Sequence, residues 1–267
     1  MRPNKVLEAW RNDKPTVGAW LAIPDGHSAE IMANVGFDWL CVDMQHGAID
    51  YANSIEMFRA ISTTATTPFV RVPWNDPATI MKALDAGAYG VIVPLINNRE
   101  EAERAVWAAK YPPEGGRSSG PTRAAIYGGS DYQQQANSEI AVICMIETAE
   151  ALEKLDEILS TPGVDAAYIG PSDLAYALGM EPTGDNRDAN HEAKVMEIYA
   201  ACRRHGVTPG IHTGSAEFTK KWLKAGFQMV TLGTDSGFMR ARAMTDLNET
   251  REETGAESTL PEGNTFY

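Results

Sequence analysis

The sequence predicts an α/β protein whose parallel sheet closes into a (β/α)8 barrel. Apolar, β-rich runs recur along 267 residues with helical patterns between them, and there are about eight, the number that closes a barrel. A further observation is positional. His46 follows DWLCVDMQ, Arg71 lies inside PFVRVPW, Glu147 follows AVICMI and Asp173 follows AAYIGPS, so polar residues repeatedly stand where an apolar run stops. A buried strand has no reason to end in a charge unless the strand ends converge on something polar. One site built from many strands is expected.

The strands are expected at 17–23, 38–44, 68–73, 90–95, 140–146, 165–169, 207–211 and 228–232. Helix signals fill the intervals. Ser28 is placed to cap SAEIMANVG, and Gly36 suits its left-handed exit; Asp76-Pro77 sets a capping carboxylate before a proline in the first turn. Asn98 precedes REEAERAVWAAKY, which ends near Pro112-Pro113, and Thr148 precedes AEALEKLDEIL. Residues 113–139 lack periodicity, and a long ordered loop inside a compact domain predicts an active-site cover. The segment 180–191 reads as a second excursion on the same face. From residue 248 the chain is polar and acidic, which divides it into one barrel domain, 1–247, and a loosely held tail, 248–267.

Composition excludes several functions. A net charge of -13 and a pI near 4.8 argue against nucleic acid, which needs a basic footprint, and against an anionic membrane surface. No stretch approaches the roughly 20 apolar residues of a membrane span, and the polar N-terminus lacks a signal-peptide pattern. Cys41, Cys144 and Cys202 form an odd set without C-x-x-C spacing, as expected of buried, reduced thiols. A soluble cytoplasmic protein is expected.

In such a barrel the loops after the strands form one rim, so residues distant in sequence meet there. Glu147 and Asp173 then face each other, and two carboxylates with water are a ligand set for a hard divalent cation. Each also reads as an ordinary first-turn or capping carboxylate, a role compatible with holding a metal. His46, three residues after Asp43, suits a general base oriented by that carboxylate, or a structural histidine. Arg71 in an apolar strand must meet an anion, either a neighbouring carboxylate or an oxyanion developing on substrate. Gly170-Pro171-Ser172-Asp173 opens a helix whose amides suit a substrate carboxylate, and Trp20 either walls the pocket or belongs to the core. No lysine stands at a strand end, which disfavours Schiff-base chemistry, and no G-x-G-x-x-G follows a strand.

The stretches VGAWLAIPDGHSAEIMANVGFDWLCVDMQHG, PFVRVPWNDPATIMKALDAGAYGVIVPLI, YPPEGGRSSG, ICMIETAEAL and VDAAYIGPSDLA occur here in order and spacing that resemble the HpcH/HpaI family of metal-dependent (class II) pyruvate aldolases, to about residue 245. The resemblance implies a TIM barrel with an exchanged C-terminal helix and a homo-oligomer, often a hexamer. It implies that Glu147 and Asp173 hold Mg2+, Mn2+ or a similar ion such as Co2+, which chelates pyruvate. Arg71 would steady the enolate oxygen, and the backbone at Gly170 and Ser172 would receive the substrate carboxylate. His46, supported by Asp43 and by Asp85 from a neighbouring subunit, would move a proton through a water on the ion. The chain departs from the family's usual pattern at Gln45, where D-x-E-H has glutamate, and at Met145, where many members have glutamine; His212 stands where several relatives are apolar.

The expected activity is reversible cleavage of 4-hydroxy-2-keto acids into pyruvate and an aldehyde. The rivals are an oxaloacetate decarboxylase or acyl-CoA lyase-like enzyme on the same scaffold, and a non-catalytic oligomeric binder motivated by Gln45 and Met145.

Overall fold

The structure, a computed structural model, describes residues 1–256. Eight parallel strands pair in chain order: β1 (Thr16–Leu21), β2 (Trp39–Asp43), β3 (Thr67–Arg71), β4 (Gly90–Val93), β5 (Ala141–Ile146), β6 (Ala166–Ile169), β7 (Thr208–Ile211) and β8 (Met229–Thr234). β8 returns to β1, and the barrel is closed. Every expected strand is present, with ends displaced by at most two residues.

The helices are α1 (Lys5–Arg11), α2 (Gly26–Ala33), α3 (Tyr51–Ile61), α4 (Pro77–Asp85), α5 (Arg99–Ala109), α6 (Thr122–Gly128), α7 (Tyr132–Glu139), α8 (Ala149–Glu153), α9 (Leu155–Leu159), α10 (Pro171–Ala177), α11 (Ala189–His205), α12 (Ala216–Ala225) and α13 (Asp235–Thr254). Asp76, Asn98 and Thr148 cap α4, α5 and α8, each accepting a backbone N–H three residues on. α2 starts earlier than expected. Asp25 is its cap and accepts from the amide of Ser28, so a carboxylate displaces the hydroxyl as the first satisfied group.

The lumen is filled by side chains. Trp20, Trp39, Cys41, Phe69, Ile92, Ile143, Met145, Tyr168 and Met229 share one buried cluster, with Trp39 stacked on Phe69 at 5.7 Å. From below, α1 closes the N-terminal mouth with Val6, Leu7 and Trp10; the Trp10 indole N–H donates to Thr16 Oγ1 at 3.0 Å and the Gln228 carbonyl at 3.2 Å. A seven-residue helix is too short to persist alone, and burial of Val6 and Leu7, worth roughly 1.5–3 kcal/mol each, holds it in place. Cys41, Cys144 and Cys202 are free and buried, and burial raises all three thiols, Cys144 and Cys202 to about 12.

Two expectations about irregular segments are corrected. Residues 113–139 contain α6 and α7, and they join the end of α5 to the start of β5, which sets them at the N-terminal mouth. Arg117 reaches Asp85 at the end of α4, Arg123 donates to the Ala86 carbonyl at 2.6 Å, and the Lys110 amine takes the carbonyls of Asn137 and Ile140. The segment therefore does not cover its own chain's C-terminal mouth. The second excursion lies on the other face: residues 180–188 link α10 to α11, and Asp185 Oδ1 accepts the Gly214 amide, just beyond β7, at 2.9 Å.

The compact unit that contains the barrel ends at Asp235, and Ser236 begins a second unit. α13 runs through the expected 247/248 boundary, so residues 248–254 are helical rather than a loose tail; 257–267 lie outside the described residues. The helix escaped notice because its polar residues are distributed all round, with Asp235 its buried member. Among the described residues no helix is long and apolar enough to cross a membrane.

Candidate active site

Parallel register brings Asp43 opposite Arg71 as the last residues of β2 and β3. Arg71 donates from Nε to Oδ1 at 2.8 Å and from Nη2 to Oδ2 at 2.7 Å, a two-pronged pairing that compensates a buried guanidinium. The guanidinium also lies over the Trp20 ring at 4.2 Å. Asp43 Oδ1 further accepts the backbone amides of Gln45 at 3.1 Å and His46 at 3.3 Å. Asp43 therefore does not orient the His46 imidazole, as the spacing suggested. The turn after β2 folds amides, not the ring, over the carboxylate, and Arg71 engages both of its oxygens. Asp43 is a positioning residue for Arg71, while the exposed His46 ring lines the cavity without a hydrogen bond to any described residue.

Glu147 follows β5 and is 3% exposed. Its Oε1 accepts the Leu95 amide at 2.9 Å. Leu95 holds that amide in place from a left-handed conformation, φ 54°, which costs a non-glycine residue roughly 1–2 kcal/mol. Glu147 Oε2 lies against Gly170, where any Cβ would collide with it, and no described donor meets it. Burial pushes the Glu147 carboxyl up to about 7; the Leu95 amide opposes this, the Asp173 charge adds to it and the Arg71 charge opposes it. Asp173, exposed in the first turn of α10, lines the same cavity, and its side chain bonds to no described residue.

This donor set fits a hard divalent cation. Two neighbouring carboxylates with unpartnered oxygens repel each other until a cation neutralises them, and such ions complete their shells with water or substrate oxygens. Among the described residues no cluster of three or more His, Cys, Asp or Glu forms, so the set does not suit a closed structural zinc site.

The cavity is about 200 Å³. It gathers Trp20, His46, Arg71, Gly170, Ser172 and Asp173 of the expected site, with Met145, Tyr168, Pro171 and His212 around them and Glu147 behind Gly170. Asp85 is not among them. It ends α4 at the other mouth, where Arg117 Nη2 donates to it at 2.6 Å, because helices return antiparallel to strands and so end at the opposite rim. Trp20 proves to be both core and wall, at 2% exposure. No lysine lines the cavity, and the buried Lys110 is at the opposite mouth. Sequence reasoning missed Tyr168 and Leu95. A tyrosine inside the apolar run of β6 was a signal, since a buried hydroxyl needs a partner; nothing in the sequence marked the turned amide of Leu95.

The chain is 40% identical to the hydroxypyruvate/pyruvate aldolase of Rhizorhabdus wittichii over 240 residues, covering 90% of this chain and 96% of that protein. It is 35% identical to the 4-hydroxy-2-oxo-heptane-1,7-dioate aldolase of Escherichia coli over 243 residues, covering 90% and 92%. The crystal structure of an HpcH/HpaI aldolase/citrate lyase family protein from Burkholderia cenocepacia superimposes with a TM-score of 0.87 at 34% identity, covering 93% of this chain and 99% of that one. The sequence pattern shared by such proteins runs here from residue 16 to residue 241, across the whole barrel, and the chain belongs to the HpcH/HpaI aldolase/citrate lyase family.

Proposed function

We propose that the protein is a class II aldolase that reversibly cleaves 4-hydroxy-2-keto acids into pyruvate and an aldehyde. The observation that carries this reading is the pair Glu147 and Asp173: with Glu147 Oε1 held by the Leu95 amide, Glu147 Oε2 and the Asp173 carboxylate meet no described donor beside a cavity holding an arginine and a histidine. Relatives at 35% and 40% identity are aldolases by name. Glu147 and Asp173 would hold Mg2+, Mn2+ or Co2+, and such an ion, when bound, supplies Lewis-acid polarisation that makes the ketoacid's methyl group acidic.

The remaining roles fall to the chain's own groups. Arg71 uses Nε and Nη2 on Asp43 and keeps Nη1 for the keto oxygen, where negative charge develops as the C3–C4 bond breaks. His46 takes the proton from the 4-hydroxyl and returns a proton to C3, a task suited to an accessible imidazole. The Ser172 amide, at the start of α10, receives the substrate carboxylate with the backbone of Gly170. Trp20 holds Arg71 flat and forms the floor.

A homo-oligomer, a hexamer with α13 exchanged between chains, belongs to the same proposal; Asp85, held by Arg117 at the opposite mouth, would there support a neighbouring chain's His46. The cytoplasm is the compartment that suits three free thiols. The cavity's 200 Å³ lies below the roughly 300–1,000 Å³ of drug-sized pockets, which favours a short ketoacid over a coenzyme A thioester.

The test is exchange of pyruvate C3 protons with deuterated water after EDTA treatment. The expected result is no exchange until Mn2+ is restored, and none in Glu147→Ala or Asp173→Ala. Full exchange in the stripped protein refutes the scheme; failure of every divalent ion to restore it refutes the aldolase.

A further inference from the structure

His212 follows β7 and meets the Trp20 ring edge-on at 5.1 Å. Its Nδ1 lies 3.2 Å from the Tyr168 hydroxyl, which also bonds Thr231 Oγ1. The Trp20 indole N–H donates to both hydroxyl oxygens, at 3.1 Å each. Thr231, Tyr168 and His212 thus form a polar string through a lumen that is otherwise apolar, and His212 is its half-buried end, on the cavity.

The hydrogens in this string run in one direction. The Trp20 N–H only donates, so it consumes acceptor capacity on both hydroxyls and supplies none. Among the described residues the Thr231 hydroxyl has one acceptor, Tyr168 Oη; its hydrogen goes there, and the Tyr168 hydrogen goes to His212 Nδ1. Reversing the string would leave the Thr231 hydroxyl hydrogen inside an apolar wall, which is unfavourable. A neutral imidazole that accepts at Nδ1 carries its hydrogen on Nε2. No described residue accepts from Nε2, and the ring's open side lines the cavity.

Building on the aldolase reading, we propose that His212 is a specificity-determining residue: its Nε2–H donates to a hydroxyl oxygen on the aldehyde component, selecting short hydroxyaldehydes over alkyl aldehydes of the same size. The ketoacid's oxygens belong to groups on other strands, Arg71 on β3, Glu147 after β5 and α10 after β6, which leaves the β7 side for the second reactant. Burial, and then the Arg71 charge, press the His212 imidazole down to about 4, so it is uncharged in neutral solution. An uncharged donor recognises a neutral oxygen, whereas a carboxylate-bearing aldehyde calls for a cation.

The experiment measures kcat/KM for glycolaldehyde and propanal with pyruvate on Mn2+-loaded protein. These aldehydes differ in one hydroxyl for methyl, and both are measured on the same preparation, so incomplete folding of a variant cancels in their ratio. His212→Phe is expected to lower the glycolaldehyde/propanal ratio about tenfold or more, the scale of discrimination lost with a hydrogen-bond donor. His212→Gln, which keeps an N–H, restores part of the ratio, and Tyr168→Phe, which frees the hydrogen to move to Nδ1, lowers it less than His212→Phe does. A ratio within twofold of the unaltered protein in His212→Phe overturns the proposal. So does a variant that changes the hydroxypyruvate/pyruvate ratio and spares the aldehyde ratio, since that places the residue at the ketoacid. Pyruvate C3 exchange by the unaltered protein without aldehyde separates the two levels: its absence sinks the aldolase reading, its presence beside an unchanged ratio sinks only this inference.

Discussion

The two mouths of the barrel carry the same kinds of residue and use them in opposite ways. At the N-terminal mouth the Lys110 amine holds two carbonyls at 2.7 Å each, and Arg117 is paired through Nη2 with Asp85 at 2.6 Å and lies over the Tyr111 ring at 4.6 Å, although its Nε and Nη1 meet no described acceptor. At the C-terminal mouth Glu147 Oε2, the Asp173 carboxylate and the His46 ring meet no described partner. Size does not separate them: a hollow of about 580 Å³ beside α1 exceeds the 200 Å³ site, yet it gathers no pair of unpartnered carboxylates, and its Asp38 accepts the Val17 amide. A charge whose partners are supplied by the chain supports the fold. What distinguishes the C-terminal mouth is two like charges on one cavity, Glu147 and Asp173, which a cation would relieve.

That contrast can be broken most forcefully at Glu147. Glutamine keeps an acceptor for the Leu95 amide while removing a buried carboxylate, so Glu147→Gln should lose about 10³-fold or more in kcat/KM, with a melting temperature at pH 8 unchanged or raised. Calorimetry showing a collapse instead would move Glu147 among the structural charges. Next comes Arg71→Lys, which cannot fork onto Asp43; steady-state kinetics should show a loss of roughly 10²–10³-fold.

At the other mouth the same experiment should invert. Lys110→Met leaves the carbonyls of Asn137 and Ile140 without their donor, costing roughly 1–3 kcal/mol for each group left unsatisfied. Thermal melts should fall by about 2–4 °C per kcal/mol while kcat/KM holds. A Lys110 variant that melts normally but turns over poorly would erase the distinction. The smallest effect concerns acid. His212 has its affinity for a proton lowered in the fold, from 6.5 to about 4, so the unfolded chain binds protons more readily between those values. Its contribution to stability is complete above pH 6.5 and is lost as pH falls towards 4; denaturant titrations should find that slope flattened in His212→Phe.

Much of this was legible in the sequence. The eight strands were marked by apolar runs, and Glu147, Asp173, Arg71 and His46 by their position at the ends of those runs. Partnership was harder. Whether Asp43 served His46 or Arg71 depended on parallel register, which sets residues 28 apart side by side and has no trace in local spacing. The face occupied by 113–139 followed from element order, since a segment between a helix and the next strand belongs at the N-terminal mouth; its polar composition suggested a lid instead. Asp85 fell on that rim for the same reason. Tyr168 hid within an apolar run, and α13 within a stretch lacking an apolar stripe.

The aromatic plug beneath the cavity has a kinetic consequence. With Trp39 stacked on Phe69, Trp10 edge-on to the same ring, and α1 sealing the base, the described residues of one chain leave reactants a single doorway. Whatever lodges deepest must enter first and depart last, so turnover should follow a compulsory order, with the late-leaving product competing against the first arrival and not against the second.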